Sequence, residues 1–249
     1  MTGPRLIAPR LIAVASGKGG VGKTWLSITL SHALARSGRS VLLVDADLGL
    51  ANVDIQLGLT PSRDLGAVLA GEATLADVVV RHDDGRFDIL AGRSGSGALA
   101  GLPADALSPL LGMLRSAPYQ FVLLDLGAGL EPTVRRLAAA ADTLLVVATG
   151  EPTSLTDAYA VLKLYAADRV GGDARVIVNQ SQNRASGERT YETLRRAAFA
   201  FLGQTPGLAG IIRRDERVPE AIRRQMLLLT RHPTSLAAED VEQVCRTLG

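Results

Sequence analysis

The sequence predicts an α/β fold, a single doubly wound and mainly parallel sheet with helices on both faces. Three observations lead to this prediction. Short apolar runs alternate with helix-periodic runs along the chain of 249 residues. A glycine-rich loop joins the first apolar run to the first helical run. Polar residues end several apolar runs, at Asp45, Asp125 and Asn179, where a parallel sheet carries its ligands.

The elements follow from these patterns in chain order. Strands are expected at 11–16, 40–44, 87–91, 121–124, 144–148, 175–178 and 208–212, apolar enough for burial on both faces. Longer helices are expected at 24–37, 104–115, 133–140, 155–167, 189–202, 218–225 and 236–248. Shorter helical or turn segments are expected at 48–59, 62–69 and 74–80, and a surface loop at 92–101. Residues 1–9 are predicted to be a flexible tail, and 10–249 one domain without repeat or linker.

Composition excludes several classes of protein. A formal net charge of +2 gives no strong overall field for nucleic acid or membrane. A single cysteine excludes an intrachain disulfide and a multi-cysteine metal or iron–sulfur site. Pro9 and Arg10 interrupt the first apolar stretch, so we predict no signal peptide and a cytoplasmic location.

The loop after the first strand has the pattern of a phosphate-binding loop. It fits G-x-x-x-x-G-K-[ST] from Gly17 to Thr24, and the strand before it and the helix after it weigh against a chance glycine-rich turn. We expect Lys23 to reach the β- and γ-phosphates of a nucleotide and the Thr24 hydroxyl to bind Mg²⁺. The loop backbone would surround the phosphates, at Gly17, Lys18, Gly19, Gly20, Val21, Gly22, Lys23 and Thr24.

Lys18 is a further cation inside the loop that the pattern does not require. The chain has three lysines and 24 arginines, and two of the three lysines, Lys18 and Lys23, lie in this loop. The third is Lys163. In a chain that otherwise uses arginine, this choice indicates a requirement for a compact ammonium group.

Carboxylates follow two of the apolar strands. Asp45 and Asp47 end the second strand, where ligand binding competes with a simpler role for one of them as a helix N-cap. Asp125 ends the fourth strand and is followed by Gly127 and Gly129, the pattern of a Walker B segment. In such a segment the carboxylate serves Mg²⁺ and the glycines let the next loop respond to the γ-phosphate.

Together these motifs resemble those of a known family. The loop with its extra Lys18 resembles the deviant Walker A motif of the MinD/ParA superfamily, a SIMIBI-type group of P-loop NTPases. Segments 45–54, 125–129 and 151–160 are similar to stretches of the FlhG group (also called YlxH or FleN), which regulates flagellar number. The similarity extends along nearly the whole chain.

The resemblance implies a slow, Mg²⁺-dependent ATPase that acts as a dimerisation switch. ATP would lie between two subunits, with Lys18 crossing to the partner's phosphates and Lys23 holding the β- and γ-phosphates. Asp47 would position or activate the attacking water. The Mg²⁺ ligands would be Thr24, Asp45 and Asp125. Such switches regulate the placement or number of a cellular structure through a protein partner, here a flagellar or polar factor such as an FlhF-like GTPase.

The resemblance also implies roles at the nucleoside. Asn179 falls where the family reads adenine, and Arg213, Arg214 and Asp215 occupy the segment beside the base. Glu151 would lie near the nucleoside or the dimer interface.

The sequence departs from the family pattern at several places. Trp25 stands where Thr or Asn is usual, and it either packs beside the nucleotide or fills the core. Leu126 replaces a hydroxyl residue, and Gly150 replaces a proline. Arg213 and Arg214 replace a proline and an acidic or aromatic residue.

The C-terminal segment bears on where the protein acts. Many relatives end in a basic amphipathic helix that binds membrane, whereas segment 235–248 carries Glu239, Asp240 and Glu242 on its polar side. An acidic face disfavours anionic lipid, so we predict a helix docked on the core, which argues against membrane attachment. The alternative partner is DNA, bound non-specifically on the nucleoid as by a ParA-type ATPase. Its contacts would be arginines that are otherwise a solvated face, namely Arg213, Arg214, Arg217, Arg223, Arg224 and Arg231.

Overall fold

The computed structural model describes residues 8–47, 49–92 and 107–248. Its central feature is an eight-stranded sheet in the order β3-β4-β2-β5-β1-β6-β7-β8. The strands are β1 (Arg10–Ser16), β2 (Val41–Ala46), β3 (Val79–His82), β4 (Phe87–Leu90), β5 (Phe121–Ala128), β6 (Thr143–Ala148), β7 (Asp173–Ser181) and β8 (Gly207–Arg213). β3 pairs with β4 antiparallel, and all other neighbours are parallel. The predicted mainly parallel α/β fold is confirmed.

Helices cover both faces of the sheet. Those described are α1 (Lys23–Arg36), α2 (Val53–Leu57), α3 (Leu65–Leu69), α4 (Leu75–Val78), α5 (Leu107–Ser116), α6 (Pro132–Ala140), α7 (Pro152–Asp168), α8 (Arg184–Leu202), α9 (Arg217–Arg223), α10 (Leu228–Arg231) and α11 (Leu236–Leu248). One hydrophobic cluster joins the sheet to α1, α2 and α9–α11, and the other joins it to α3–α8. In β1, Ile12 and Val14 enter the first cluster, and Leu11 and Ala13 the second. This two-sided burial explains why the strand is apolar at successive positions.

Some boundaries differ from the prediction. Segment 74–80 is predicted to be helical throughout. In the structure the helix ends at Val78, and the chain continues as the edge strand β3. The β-branched Val79 and Val80 suit a strand, and the Arg86 N–H donates to the His82 carbonyl (2.8 Å) to close a hairpin with β4. The helix predicted from 189 begins at Arg184, and α10 was not predicted. The predicted loop at 92–101, apart from Gly92, and the start of the helix predicted from 104 lie outside the described residues.

The C-terminal helix α11 docks on the core, as predicted. Val241, Val244 and Leu248 are buried in the cluster that also contains α1. The placement of Asp240 on an exposed polar face was wrong, because its side chain is fully buried and bonds two arginines. Among the described helices, none combines the length and apolar character needed to cross a membrane.

Candidate functional site

The phosphate-loop motif lies between β1 and α1 in a conformation that suits an anion. Gly20 and Gly22 have φ values of 79° and 92°, a region that disfavours a side chain. Gly22 immediately precedes α1, and no side chain of the described residues caps that helix. The first N–H groups of α1 therefore remain open to a ligand, and the helix dipole favours negative charge there.

Two neighbouring elements approach the loop so closely that glycine is required. A Cβ at Gly17 would lie 2.5 Å from the Asp157 carbonyl oxygen of α7. A Cβ at Gly22 would lie 2.5 Å from Nδ2 of Asn179, which donates to the Val21 carbonyl (2.8 Å). The end of β7 and the N-terminal part of α7 thus support the loop. The sequence motif gave no signal for Asp157 in this role.

Lys23 and Asp125 form the buried centre of the phosphate side. Burial lowers the pKa of Lys23, although the nearby Asp125 and Asp47 oppose that shift. Burial raises the pKa of Asp125 to about 6, against hydrogen bonds from Thr24 and Ser27. Ser27 Oγ lies 2.9 Å from Asp125 Oδ1. Sequence reasoning missed Ser27, although it lies one helical turn after Thr24 on the same side of α1.

Asp45 lies beside Asp125 on the adjacent strand, in parallel register. Its Oδ2 accepts the N–H groups of Asn52 and Val53 (both 2.9 Å), so it anchors the start of α2. Burial, together with the charge of Asp125, raises the pKa of Asp45 to about 7. Two adjacent carboxylates that resist ionisation are a favourable place for a cation.

This donor set fits Mg²⁺. No cluster of three or more His, Cys, Asp or Glu side chains with metal-binding geometry occurs in the part of the chain that the structure describes. Mg²⁺ does not need one, because it binds through one or two carboxylates together with water and substrate phosphates. Asp45, Asp125 and the Thr24 hydroxyl at the start of α1 supply oxygen donors of that kind.

Asp47 lies at the mouth of the site. Its Oδ1 accepts the N–H groups of Gly49 (3.3 Å) and Leu50 (3.0 Å). It also faces the end of β5, where a Cβ at Gly127 would lie 3.2 Å from the same oxygen. Asp47 is half-buried and close enough to Lys23 to influence its pKa.

Lys18 points towards the start of α7 in its own subunit. Its Nζ lies 2.8 Å from Glu151 Oε2 and 3.1 Å from Thr153 Oγ1. The lysine side chain is partly exposed, and the glutamate side chain is largely exposed. The structure therefore brings Lys18 and Glu151 together at the surface beside the loop.

A cleft of about 340 Å³ adjoins the loop on the side that is predicted to bind the nucleoside. Asn179 and Gln180 line it at the end of β7, and Ile212, Val218 and Ile222 form apolar walls. Gln180 Nε2 also approaches the Gly20 carbonyl (3.4 Å). The predicted adenine-side residue Asn179 therefore lies at the junction of the loop and this cleft.

The charged residues of the cleft differ in whether they are already bonded to other groups of the protein. Arg213 is the last residue of β8 and not part of a loop, and its guanidinium donates to Asp240 at 2.8 and 2.9 Å. Asp215 accepts the N–H groups of Arg217 (2.9 Å) and Ala237 (3.2 Å). Arg214 is exposed and 3.7 Å from Glu216. Base contacts by these side chains stay a prediction.

Comparison with known proteins identifies the family of the chain. The family model "CobQ/CobB/MinD/ParA nucleotide binding domain" matches residues 12–229. The antiactivator FleN of Pseudomonas aeruginosa is 37% identical over 92% of this chain and 82% of its own length. The flagellum site-determining protein YlxH of Helicobacter pylori is 30% identical over 96% of this chain and 81% of its own length.

Solved structures of MinD proteins share the fold. The cell division protein MinD of Aquifex aeolicus has a TM-score of 0.79 at 26% identity, covering 96% of each chain. MinD of Pyrococcus horikoshii, solved with Mg-ADP, has a TM-score of 0.80 at 25% identity, again covering 96% of each chain. With its loop, its sheet edge and these relatives in agreement, the chain belongs to the CobQ/CobB/MinD/ParA family of nucleotide-binding domains and is similar within it to FleN and YlxH.

Proposed function

We propose that the protein is a Mg²⁺-dependent ATPase that dimerises on binding ATP and thereby regulates the placement or number of flagella. The observation that carries this proposal is the convergence of Lys23, Asp45 and Asp125 at the open N-terminus of α1. The similarity to FleN and YlxH supports the flagellar role.

The chemistry follows from charge and position. Bound Mg²⁺ would neutralise charge on the β- and γ-phosphates, and Thr24, Asp45 and Asp125 would hold it. The loop N–H groups and Lys23 would bind the phosphates, with Lys23 stabilising the charge that develops during transfer. Asp47, held by two backbone N–H groups at the mouth, would orient the attacking water. Phosphoryl transfer needs positioning and charge neutralisation and little covalent chemistry from the protein.

The surface around the loop supports a second copy as the partner. Leu50 is 71% exposed and Leu130 is 38% exposed, in the loops that follow β2 and β5. An apolar side chain so exposed gains by being covered at an interface. The Lys18–Glu151 pair lies at the surface, with both side chains partly exposed, and such a pair is worth no more than about 1 kcal/mol. Lys18 can therefore exchange Glu151 for a partner's phosphate at little cost.

A protein partner is also part of the proposal. The Aquifex aeolicus MinD has been solved in a MinC:MinD complex, and that structure resembles this chain with a TM-score of 0.77 at 27% identity. We infer a partner of the flagellar or polar machinery, recruited by the ATP-bound dimer.

The alternative of non-specific DNA binding has less support. Of the six arginines that would contact DNA, Arg213 is bound by Asp240, and Arg224 and Arg231 are bound by Glu220. Paired arginines contribute less to a positive field, so this surface attracts phosphates less than the sequence indicates.

Sedimentation with ATP and Mg²⁺ tests the switch. The wild-type chain should become a dimer, and Lys18→Ala should bind ADP normally yet stay monomeric. Lys163→Ala, an exposed change of the same charge on α7, is the control and should dimerise. A normal dimer of Lys18→Ala would refute the cross-subunit role, and a wild-type monomer in ATP would refute the switch.

A further inference from the structure

Trp25 combines two properties that its family position does not explain. It lies in the first turn of α1, is 6% exposed and belongs to the hydrophobic cluster on that face of the sheet. It nevertheless lines the nucleoside-side cleft together with Gly22 and Asn179. Its indole Nε1 is buried and has no hydrogen-bond partner among the described residues.

An orphaned indole N–H is unfavourable in a folded core. Buried donors almost always have an acceptor, and tryptophan is normally placed where its N–H finds one. A phenylalanine would occupy much of the same space without burying a donor. The Nε1–H group therefore gains nothing in the ligand-free chain. Its presence is explained if a bound ligand supplies the hydrogen-bond acceptor.

The cleft suits the nucleoside end of a nucleotide. Ile212, Val218 and Ile222 form apolar walls of the kind that pack against a flat ring, and polar groups lie at the loop end. Trp25 lines the same cleft as these apolar residues and the loop glycines, and it lies two residues after Lys23 in α1.

We propose that Trp25 is a specificity-determining contact to the nucleoside, with the indole ring packed against it and Nε1–H donating to one of its acceptor atoms. Because Nε1 is enclosed in the ligand-free chain, the ring turns towards the cleft when the nucleoside enters. This inference rests on one part of the proposed function, that the protein binds a nucleotide. It adds a contact between Trp25 and the nucleoside, in addition to those with the phosphates.

Calorimetric titration of wild type and Trp25→Phe tests the donor, with ADP and inorganic pyrophosphate as probes. Phenylalanine keeps an aromatic ring and removes the N–H, so ADP affinity should fall about fivefold to tenfold. Pyrophosphate affinity should stay within about twofold of wild type, because the contact is to the nucleoside. Equal ADP affinity in the two proteins, or an equal loss for ADP and pyrophosphate, would overturn the proposal.

Fluorescence of the wild-type protein gives a second measurement that needs no variant. Trp25 is the sole tryptophan of the chain, so all tryptophan emission reports on it. Saturating ADP should change its intensity and emission maximum more than pyrophosphate does. If ADP binds in the calorimeter without changing the emission, this inference fails while the proposed function stands. If ADP does not bind wild type at all, the proposed function fails first.

Discussion

The candidate site has a phosphate half, with Lys23, Asp45 and Asp125, and a nucleoside half, with Arg213 and Asp215. The two halves differ in whether their charged groups already have partners within the protein. In the phosphate half, burial lowers the pKa of Lys23 and raises that of Asp45 and Asp125, so each charge is disfavoured where it lies. In the nucleoside half, Arg213 is bound by a buried carboxylate and Asp215 by two backbone N–H groups. A bound ligand or metal would stabilise charges of the first kind, whereas charges of the second kind already have partners within the protein.

The difference separates residues that act on the ligand from residues that shape its pocket. Buried groups whose pKa is shifted to disfavour the charged form concentrate at functional sites. A bound ligand or metal there offsets the free energy lost by burying the charge. When both partners of a buried ion pair belong to the protein, removing one of them lowers the stability of the fold. The following predictions test that separation, starting with the phosphate half.

The largest effect is expected from Asp47→Ala. The variant should bind ATP and dimerise like wild type, but turnover should fall by about a hundredfold, because no carboxylate orients the water. Phosphate release under saturating ATP and Mg²⁺ measures turnover, and sedimentation measures the dimer. Asp54→Ala is the matched control, since its carboxylate bonds its neighbour Ile55 in α2 and should leave turnover unchanged. Wild-type turnover in Asp47→Ala would remove Asp47 from the mechanism.

The phosphate half could be predicted from sequence because its geometry is encoded locally. The loop motif specifies backbone shape over a few residues, and the parallel sheet brings the ends of β2 and β5 to the same edge. Asp45 and Asp125 are therefore neighbours as soon as the strand pattern is recognised. Even here, the support from Asp157 and Asn179 depends on close backbone approach that no single-sequence pattern reveals.

The nucleoside half could not be predicted in the same way. Arg213 acquires its partner Asp240, and Asp215 the N–H group of Ala237, only when α11 folds back beside β8. The helical pattern put Asp240 on a solvated face because periodicity identifies the apolar stripe but not the arginines that arrive from α8 and β8. The edge strand β3 was missed for a related reason, since a short apolar run fits a helix or a strand equally.

A smaller effect, on stability, is expected from Arg213→Ala. Removing this guanidinium leaves the buried Asp240 with Arg184 and should lower the free energy of unfolding by about 3 kcal/mol. ADP affinity should change less than about threefold. Arg214→Ala is the control, because that exposed side chain forms a long ion pair and its removal should change stability by less than about 0.5 kcal/mol. A large loss of ADP affinity in Arg213→Ala at unchanged stability would place Arg213 among the ligand contacts.

The smallest effect concerns α1, the helix that both halves share. His32 lies buried in this helix, and its Nδ1 has no partner among the described residues. Burial, aided by the positive charge of Arg36, lowers its pKa to about 4 from an ordinary value of 6.5. Between those values the unfolded chain binds a proton that the folded chain does not. The contribution of neutral His32 is therefore complete above pH 6.5 and is lost as the pH falls towards 4.

Comparing His32→Leu with wild type isolates that contribution. Asp45 and Asp125 oppose it in both proteins, because their raised pKa values make folding less favourable as the pH rises from about 4 to 7. The variant should therefore lose about 2–3 kcal/mol less stability than wild type between pH 6.5 and 4, measured by denaturant unfolding. Ser31→Ala, a buried and non-titrating change in the same helix, should shift stability equally at every pH. Parallel pH profiles of the free energy of unfolding for His32→Leu and wild type would contradict the prediction, because protonation of His32 would then not destabilise the fold.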